Sequence, residues 1–366
     1  MKIISVVGAR PNLMKIAPLA RVMRKKHGQI THLLVHTGQH YDHDMFAAFF
    51  KELEIPEPDV NLGVGSGSHA EQTGKIMIEF EKVILQHKPD LIIVVGDVNS
   101  TIACSLVASK LGVKVAHVEA GLRSFDRTMP EEINRILTDA ISDFLFTTEE
   151  SANKNLRREG ISEEKIFFVG NVMIDSLIHC LEKIGNVALP FDDLKENQYA
   201  VITLHRPSNV DNPGVLTKIL TAFHSISKRL KLVIALHPRT MKNIKAFGFE
   251  DQLNQISYNA IITGPLGYLE MLRLNRSARM VITDSGGLQE ETTYLKVPCI
   301  TMRENTERPS TIEMGTNVLV GKDVDALLYH VDKVMSGDCR KGQVPPLWDG
   351  KAAARIVDVI TNQVYH

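Results

Sequence analysis

The sequence predicts an α/β fold built from two Rossmann-like, doubly wound domains. Short β-branched runs alternate with segments of helical character, a pattern typical of parallel sheets covered by helices on both faces. The runs form two series, and 366 residues exceed the length at which one hydrophobic core usually stops growing. The predicted strands are residues 3–7, 32–37, 90–97, 114–120, 143–148 and 165–170, followed by 199–205, 231–237, 260–264, 280–284, 298–302 and 317–321.

The boundary between the domains is expected between residues 171 and 199, because the polar stretch 191–197 (FDDLKEN) carries no strand pattern. We assign residues 1–171 to the first domain and residues 172–352 to the second. Apolar residues at helical spacing near the carboxyl terminus predict a final helix, 353–366, which is assigned to the first domain.

Charge and composition exclude several classes of partner. Lys and Arg (42) nearly balance Asp and Glu (43), so no global field would hold the chain on nucleic acid or on an anionic membrane. The apolar runs are shorter than the ~20 residues of a membrane span, and the first one ends too early for a signal peptide. The four cysteines form no CxxC pair, so no metal site is predicted. We expect a cytoplasmic protein.

Motifs for common nucleotide cofactors are missing from the sequence. The first strand is followed by GARPNLMK where a dinucleotide site would have Gly-x-Gly-x-x-Gly, and no P-loop motif occurs. The GVGSGS run at 63–68 follows no predicted strand and has Ser68 where the third glycine belongs. It is interpreted as a surface loop, with a lid over substrate as the alternative. We therefore predict an enzyme without a cofactor.

The run TDSGGLQEE (283–291) is the most informative motif of the second half. Gly286 and Gly287 permit close approach of backbone to a ligand, and a helix that begins there offers free N–H groups to a diphosphate. Glu290 and Glu291, one turn later, are suited to accept hydrogen bonds from ribose hydroxyls. The alternative is an ordinary helix capped by Ser285.

Carboxylates and cations gather at the predicted carboxyl ends of strands, where ligands of doubly wound sheets bind. Asp97, Glu119 and Glu131 are candidate acids and bases. Alternatively, Asp97 caps the next helix, and Glu131 and Glu132 lie in a solvated first turn. The candidate cations for phosphate oxygens are Arg10, Lys15, His40, Arg123, Arg135, His205, Arg206 and His237. These positions imply two domains that face each other across a cleft.

An ordered set of motifs, spanning residues 3 to about 321, resembles the non-hydrolysing UDP-N-acetylglucosamine 2-epimerases. No single motif is decisive, but their order is highly specific. The motifs are GARPNLMKIAP (8–18), TGQH (37–40), GD (96–97), HVEAGLRS (117–124), PEEINR (130–135), VGNVMID (169–175), LHR (204–206), TDSGGLQEE (283–291) and RENTERPSTIEMGTNVLVG (303–321).

The resemblance implies a fold of the glycosyltransferase-B type, a homodimer, and interconversion of UDP-N-acetylglucosamine and UDP-N-acetylmannosamine. It implies elimination of UDP to a 2-acetamidoglucal, followed by re-addition. Matched residues imply Asp97, Glu119 and Glu131 as catalytic carboxylates, with base and acid unassigned, and His205 on the diphosphate. The matches near phosphates, sugar and UDP are Arg10, Lys15, Arg135, Ser285, Gly286 and Glu291, with Arg308 as a further residue of the cleft.

Departures from the family pattern leave the substrate and the regulation open. Many bacterial members read GTRPE and HRREN where this chain has GARPN (8–12) and HRPSN (205–209), and LHPRT (236–240) and GSGSHAEQT (65–73) differ as well. Activation by a second UDP-N-acetylglucosamine is therefore in doubt. The segments GARPN (8–12), GQHYD (38–42), GLRSF (121–125) and HPRT (237–240) are similar to a branch that acts on UDP-2,3-diacetamido-2,3-dideoxyglucuronic acid.

Three other classes of function share parts of this pattern. A glycosyltransferase of the same fold and a hydrolysing epimerase would share the UDP-binding half, but neither is expected to carry GD, HVEAGLR and PEEINR in this order. A non-catalytic sugar-nucleotide sensor is disfavoured because all three carboxylates are present.

Overall fold

The computed structural model describes residues 1–26, 28–38, 52–185 and 187–363, and only the backbone of Arg10. All twelve predicted strands are present, and the two-residue β3 was too short to predict. The strands are β1 (Lys2–Val7), β2 (Thr31–His36), β3 (Val60–Asn61), β4 (Leu91–Val95), β5 (Lys114–Ala120), β6 (Phe144–Thr147), β7 (Ile166–Phe168), β8 (Tyr199–Thr203), β9 (Lys231–Ala235), β10 (Ala260–Thr263), β11 (Met280–Thr283), β12 (Cys299–Thr301) and β13 (Asn317–Leu319).

Helices follow most strands, as expected for parallel connections. Among the described residues the α-helices, in chain order, are α1 (Arg10–Lys25), α2 (His69–His87), α3 (Asn99–Lys110), α4 (Pro130–Ile141), α5 (Glu150–Arg158), α6 (Val172–Ile184), α7 (Pro207–Val210), α8 (Pro213–Ser227), α9 (Pro238–Phe247), α10 (Glu250–Ser257), α11 (Tyr268–Ser277), α12 (Gly286–Leu295), α13 (Ser310–Glu313), α14 (Val324–Met335) and α15 (Ala352–Gln363). Glu163–Lys165 form a 3₁₀ turn.

Two compact units divide the chain, Met1–Cys180 with Pro346–His366, and Leu181–Pro345. The divisions fall within α6 and in the segment before α15. The first unit carries a parallel sheet of order β3-β2-β1-β4-β5-β6-β7, and the second a parallel sheet of order β10-β9-β8-β11-β12-β13. The predicted α/β class with two doubly wound sheets is confirmed.

Both faces of the second sheet are covered. Alternate residues of a strand point to opposite faces. Ala200 and Ile202 of β8 belong to one buried cluster, whereas Tyr199 and Val201 belong to another. The strands are apolar on both sides for this reason, so polar side chains suitable for chemistry are left at the strand ends.

The carboxyl-terminal helix α15 belongs to the first unit and packs on α1. Asp175 of α6 accepts hydrogen bonds from the backbone N–H groups of Ala352 (3.2 Å) and Ala353 (2.8 Å), at the amino terminus of α15. Burial raises the pKa of Asp175 to about 6, so at neutral pH it is a carboxylate that complements the helix dipole. The motif VGNVMID (169–175) therefore has an architectural role at Asp175.

Two kinds of feature, a membrane-spanning helix and a cluster of metal ligands, are absent from the described residues. No helix there is both long and apolar enough to cross a membrane. Within the same ranges, His, Cys, Asp and Glu side chains form no cluster of three or more that could hold a metal ion. The cytoplasmic location stays a prediction.

Candidate active site

The order of the strands places one ligand-binding position in each unit. In a doubly wound sheet, ligands bind beyond the carboxyl ends of the two strands at which the order reverses. In the first unit these strands are β1 and β4, which are followed by Gly8 and by Gly96 and Asp97. In the second unit they are β8 and β11, whose last residues, Thr203 and Thr283, are paired through hydroxyls 2.7 Å apart.

Glu119 lies in an irregularity of β5 that the sequence did not reveal. The pairing of β5 with β6 shifts between Val118 and Ala120, and Glu119 has a φ of 74°, in the left-handed region. Its buried side chain forms an ion pair with Lys15 of α1. A non-glycine residue with positive φ costs about 1–3 kcal/mol, so the surrounding contacts must hold Glu119 in place.

The turn after β4 packs directly against this ion pair. Gly96 has a φ of 67°, and a Cβ there would lie 2.8 Å from Lys15 Nζ and 3.4 Å from Glu119 Oε2. Only glycine fits without displacing the pair. Asn12, which the sequence analysis did not select, donates to the Val95 carbonyl (2.9 Å) and accepts from the Ala9 N–H (3.0 Å). Asn12 therefore links the ends of β1 and β4.

Asp97 is held by a cation and does not cap α3, whose N-cap is Val98. Arg135 donates to Asp97 Oδ2 (2.6 Å) through one nitrogen and to Glu132 Oε2 (2.7 Å) through another. Glu132 is buried and not in a solvated turn, which corrects that alternative for this residue. Glu131 is exposed in the first turn of α4, as that alternative expected. Arg135 thus contacts carboxylates of its own unit.

The remaining predicted cations of the first half have different placements. Arg123 is buried and donates to Glu159 (2.8 and 2.6 Å), to Asp139 (2.7 Å) and to the Leu122 carbonyl. Its guanidinium is therefore engaged by protein groups. His40 and the Arg10 side chain lie outside the described residues.

A buried carboxylate organises the strand ends of the second unit. Asp284 accepts hydrogen bonds from the backbone N–H groups of His205 and Arg206 and from Asn209 (3.0 Å), and lies 2.7 Å from His205 Nδ1. Burial disfavours ionisation of Asp284, but these donors outweigh it and lower its pKa. His205 is therefore oriented through Nδ1, with Nε2 on the opposite edge of the ring. The centroid of the His205 ring lies 5.6 Å from the centroid of the His237 ring.

The amino terminus of α12 has the geometry expected of an anion site. Ser285 occupies the N-cap position, but its hydroxyl makes no capping hydrogen bond. The first N–H groups of an α-helix have no partner within the helix. A Cβ on Gly286 would lie 2.9 Å from Arg308 Nη1, so Arg308 sits over this helix terminus. Arg308 also forms ion pairs with Glu290 (3.0 Å) and with Glu307.

Glu291 is buried on α12 and accepts a hydrogen bond from the hydroxyl of Tyr268 (3.1 Å), on α11. Burial raises the pKa of Glu291 to about 7, with a contribution from the negative charge of Glu290 and against the hydrogen bond from Tyr268. Near neutral pH this carboxyl group is therefore poised between its neutral and ionised forms.

Comparison with known proteins identifies the family. The family model described as UDP-N-acetylglucosamine 2-epimerase matches residues 23–361. The UDP-N-acetylglucosamine 2-epimerase of Methanocaldococcus jannaschii is 46% identical over 371 residues, which cover 100% of both chains.

This chain belongs to the UDP-N-acetylglucosamine 2-epimerase family. The crystal structure of the M. jannaschii enzyme in complex with UDP-GlcNAc and UDP matches with a TM-score of 0.90, over 99% of this chain and 100% of that one. The UDP-2,3-diacetamido-2,3-dideoxy-D-glucuronate 2-epimerase of Pseudomonas aeruginosa is 41% identical over 90% of each chain. The predicted two-domain α/β fold is confirmed by these likenesses.

In this epimerase-family chain, the structure groups the predicted residues by unit. The first unit brings together Asp97, Glu119, Lys15 and Arg135, and the second brings together His205, Ser285, Gly286, Gly287, Glu291 and Arg308 at one sheet edge. The sequence analysis did not select Asn12 or Tyr268 as site residues, and it gave Asp284 no role beyond its place at the end of a predicted strand. Asp284 adjoins Ser285 in the recognised motif, which was the available indication, whereas nothing local indicated Tyr268.

Replacing Glu291 by Gln should remove a pH dependence from folding. In the folded protein the pKa is about 7, against an ordinary value of 4.5, so the folded state keeps a proton that the unfolded state releases. Stability should therefore fall as pH rises from about 4.5 to about 7, by up to about 3 kcal/mol.

Glu291→Gln should be more stable than the parent at pH 8 and equal to it near pH 4, measured by urea unfolding. Glu313→Gln, at an exposed position, is the control; an unchanged pH dependence in Glu291→Gln would contradict the assignment.

Proposed function

We propose that this protein inverts C2 of UDP-N-acetylglucosamine, interconverting it with UDP-N-acetylmannosamine. The observation that carries the proposal is the arrangement of Asp97, after β4, and Glu119, near the end of the neighbouring β5, each ion-paired with a buried cation from another element. Carboxylates fixed in this way are placed to act as acids or bases on a C–H proton. Membership of the epimerase family supports the same reaction.

The second unit is proposed to hold the nucleotide. The free N–H groups of α12 and the positive end of its dipole bind the diphosphate at Ser285, Gly286 and Gly287. Glu291 accepts hydrogen bonds from the ribose. His205, oriented by Asp284 through Nδ1, directs Nε2 to the diphosphate and stabilises its charge as UDP departs.

The chemistry proposed is elimination and re-addition. A carboxylate removes the C2 proton while the bond between C1 and the UDP oxygen breaks, and UDP takes that electron pair. The product is a 2-acetamidoglucal. A second carboxyl group returns a proton to the other face of C2, and UDP adds back to C1. Asp97, Glu119 and Glu131 share these roles, and no hydride carrier is required.

The cations have distinct places in this proposal. Lys15 and Arg135 form ion pairs with Glu119 and Asp97 and so fix these carboxylates beside the sugar. Arg308 adds positive charge at the amino terminus of α12. Arg10 and His40 keep their predicted role at the diphosphate and sugar. Arg123 contributes indirectly, through its buried ion pairs with Asp139 and Glu159.

UDP-2,3-diacetamido-2,3-dideoxyglucuronate is the second candidate substrate, because a relative with that specificity is 41% identical. We favour UDP-N-acetylglucosamine, since the M. jannaschii relative named for that substrate is 46% identical over the full chain.

A homodimer is proposed on the basis of exposed apolar side chains on α2 and α4, which both pack against α3. Ile78 and Leu85 lie on α2, and Ile133 and Leu137 lie on α4; all are exposed, at 46–61%. Helical spacing of four or seven residues places each pair on one face. Apolar surfaces of this kind mark sites of protein contact, and a second copy is the proposed occupant.

Incubation of the purified protein with UDP-N-acetylglucosamine in deuterated water should yield the C2 epimer with deuterium at C2. NMR should show faster turnover than with the diacetamido uronate offered in parallel. Epimer without solvent deuterium would exclude proton abstraction, and free sugar as the main product would indicate the hydrolysing reaction.

Asp97→Asn, Glu119→Gln and Glu131→Gln should each lower kcat about 100-fold or more, because each removes a proton-transfer group or its charge. UDP affinity, measured by calorimetry, should stay nearly unchanged, since the nucleotide is held by the other unit. Glu164→Gln is an exposed control. Normal turnover of all three variants would refute these site assignments.

Light scattering should give the mass of a dimer for the parent protein and of a monomer for Leu137→Glu, because a charge on an apolar interface is costly to bury. Tyr258→Glu, at a fully exposed position of the second unit, is the control. A monomeric parent, or a Leu137→Glu variant that stays dimeric, would contradict the proposed surface.

A further inference from the structure

His117 is a buried histidine on β5 whose two ring nitrogens both face oxygen atoms. Nδ1 lies 2.6 Å from Asp139 Oδ1, and Nε2 lies 2.8 Å from the carbonyl oxygen of Gly96. Rotating the ring by half a turn would put carbon atoms at these short distances, so the contacts favour this orientation of the ring. A neutral imidazole has a single N–H and could satisfy only one of the two acceptors.

The proton between His117 and Asp139 belongs to the histidine. The other oxygen of Asp139 accepts hydrogen bonds from Arg123 Nη2 (2.7 Å) and from the backbone N–H of Gly121 (3.0 Å). Burial alone would favour the neutral acid, but His117 and Arg123 outweigh it and lower the pKa of Asp139. Asp139 is therefore a carboxylate, and both nitrogens of His117 carry protons.

Opposite charges balance this buried imidazolium. Asp139 of α4 faces it directly and is shared with Arg123, whose second carboxylate partner is Glu159. On the side of Gly96, Lys15 and Glu119 neutralise each other. Two cations are thus matched by two anions within the network, the condition under which buried charge is tolerated.

We infer that His117 is a positioning residue for Asp97, acting as a buried cation that fixes the turn after β4. The inference rests on the proposed function in taking Asp97 as catalytic. Charge-assisted hydrogen bonds are stronger than neutral ones. On one side of the turn His117 donates to the Gly96 carbonyl, and the Gly96 N–H donates to the Val118 carbonyl (3.1 Å).

Asp97 is held from the other side by α4. Asn134 donates to its carbonyl oxygen (2.8 Å), and Arg135 donates to its carboxylate. The direction of the Asp97 side chain is therefore determined by the Gly96 peptide on one side and by α4 on the other. Loss of the His117 hydrogen bond would release the turn on its Gly96 side only, while α4 still holds Asp97. A resulting shift of the Asp97 carboxylate by about 1 Å is enough to reduce proton transfer.

Nitrogen NMR of the ¹⁵N-histidine-labelled protein tests the charge. Both ring nitrogens of His117 should give protonated signals at neutral pH, because each of them faces an oxygen acceptor. A signal from an unprotonated ring nitrogen near pH 7 would overturn the inference, whether or not the protein is an epimerase.

Two variants test the positioning role. His117→Gln should lower kcat about 10-fold to 100-fold with KM and UDP affinity nearly unchanged, and should shift the amide signals of Gly96 and Asp97. Asp139→Asn, which removes the anion that faces His117, should shift the same amide signals and lower kcat in the same direction. His179→Gln, on α6 of the same unit, is the control.

The outcomes separate this inference from the proposed function. An inactive parent protein would refute the proposed function, and the amide signals would still report whether His117 fixes the turn. An active parent together with His117→Gln of normal kcat and unmoved Gly96 and Asp97 signals would refute the positioning role alone.

Discussion

The ion pair between Lys15 and Glu119 is the contact on which the first unit's site depends. It holds a carboxylate in a left-handed backbone conformation within a strand, and it leaves room only for glycine at position 96. The turn that presents Asp97 is therefore built around the pair. A change at any one of Lys15, Gly96 or Glu119 alters the environment of Asp97 as well.

Helix α4 is unusual in that its buried face is polar. Glu132, Arg135 and Asp139 are three or four residues apart and therefore share one face, and each is buried in an ion pair. Ile133 and Leu137 are exposed instead. The inward face thus orders the turn after β4 and the loop that follows β5, while the apolar side chains lie on the exposed face. One short helix connects the proposed chemistry with the proposed assembly.

The second unit reaches a comparable arrangement by a different contact. Asp284 is buried at the strand ends and accepts hydrogen bonds from the segment after β8, so His205 is oriented by a residue of its own unit. In each unit a buried carboxylate near the carboxyl end of a strand orders the neighbouring loop. Preorganised polar groups of this kind lower the reorganisation that charge development would otherwise require.

The sequence by itself determined the twelve main strands, the two-sheet architecture, the family and most of the residues near the sheet edges. Strand periodicity is a local property, and a parallel sheet carries its polar residues to its carboxyl ends. Tertiary structure alone decided what those residues touch. The sequence predicted Arg123 and Arg135 as phosphate ligands. In the structure Arg123 contacts Asp139 and Glu159, and Arg135 contacts Asp97 and Glu132. Except for Glu132, three residues from Arg135 on the same helix, these partners lie on elements distant along the chain, so a local sequence pattern does not reveal them.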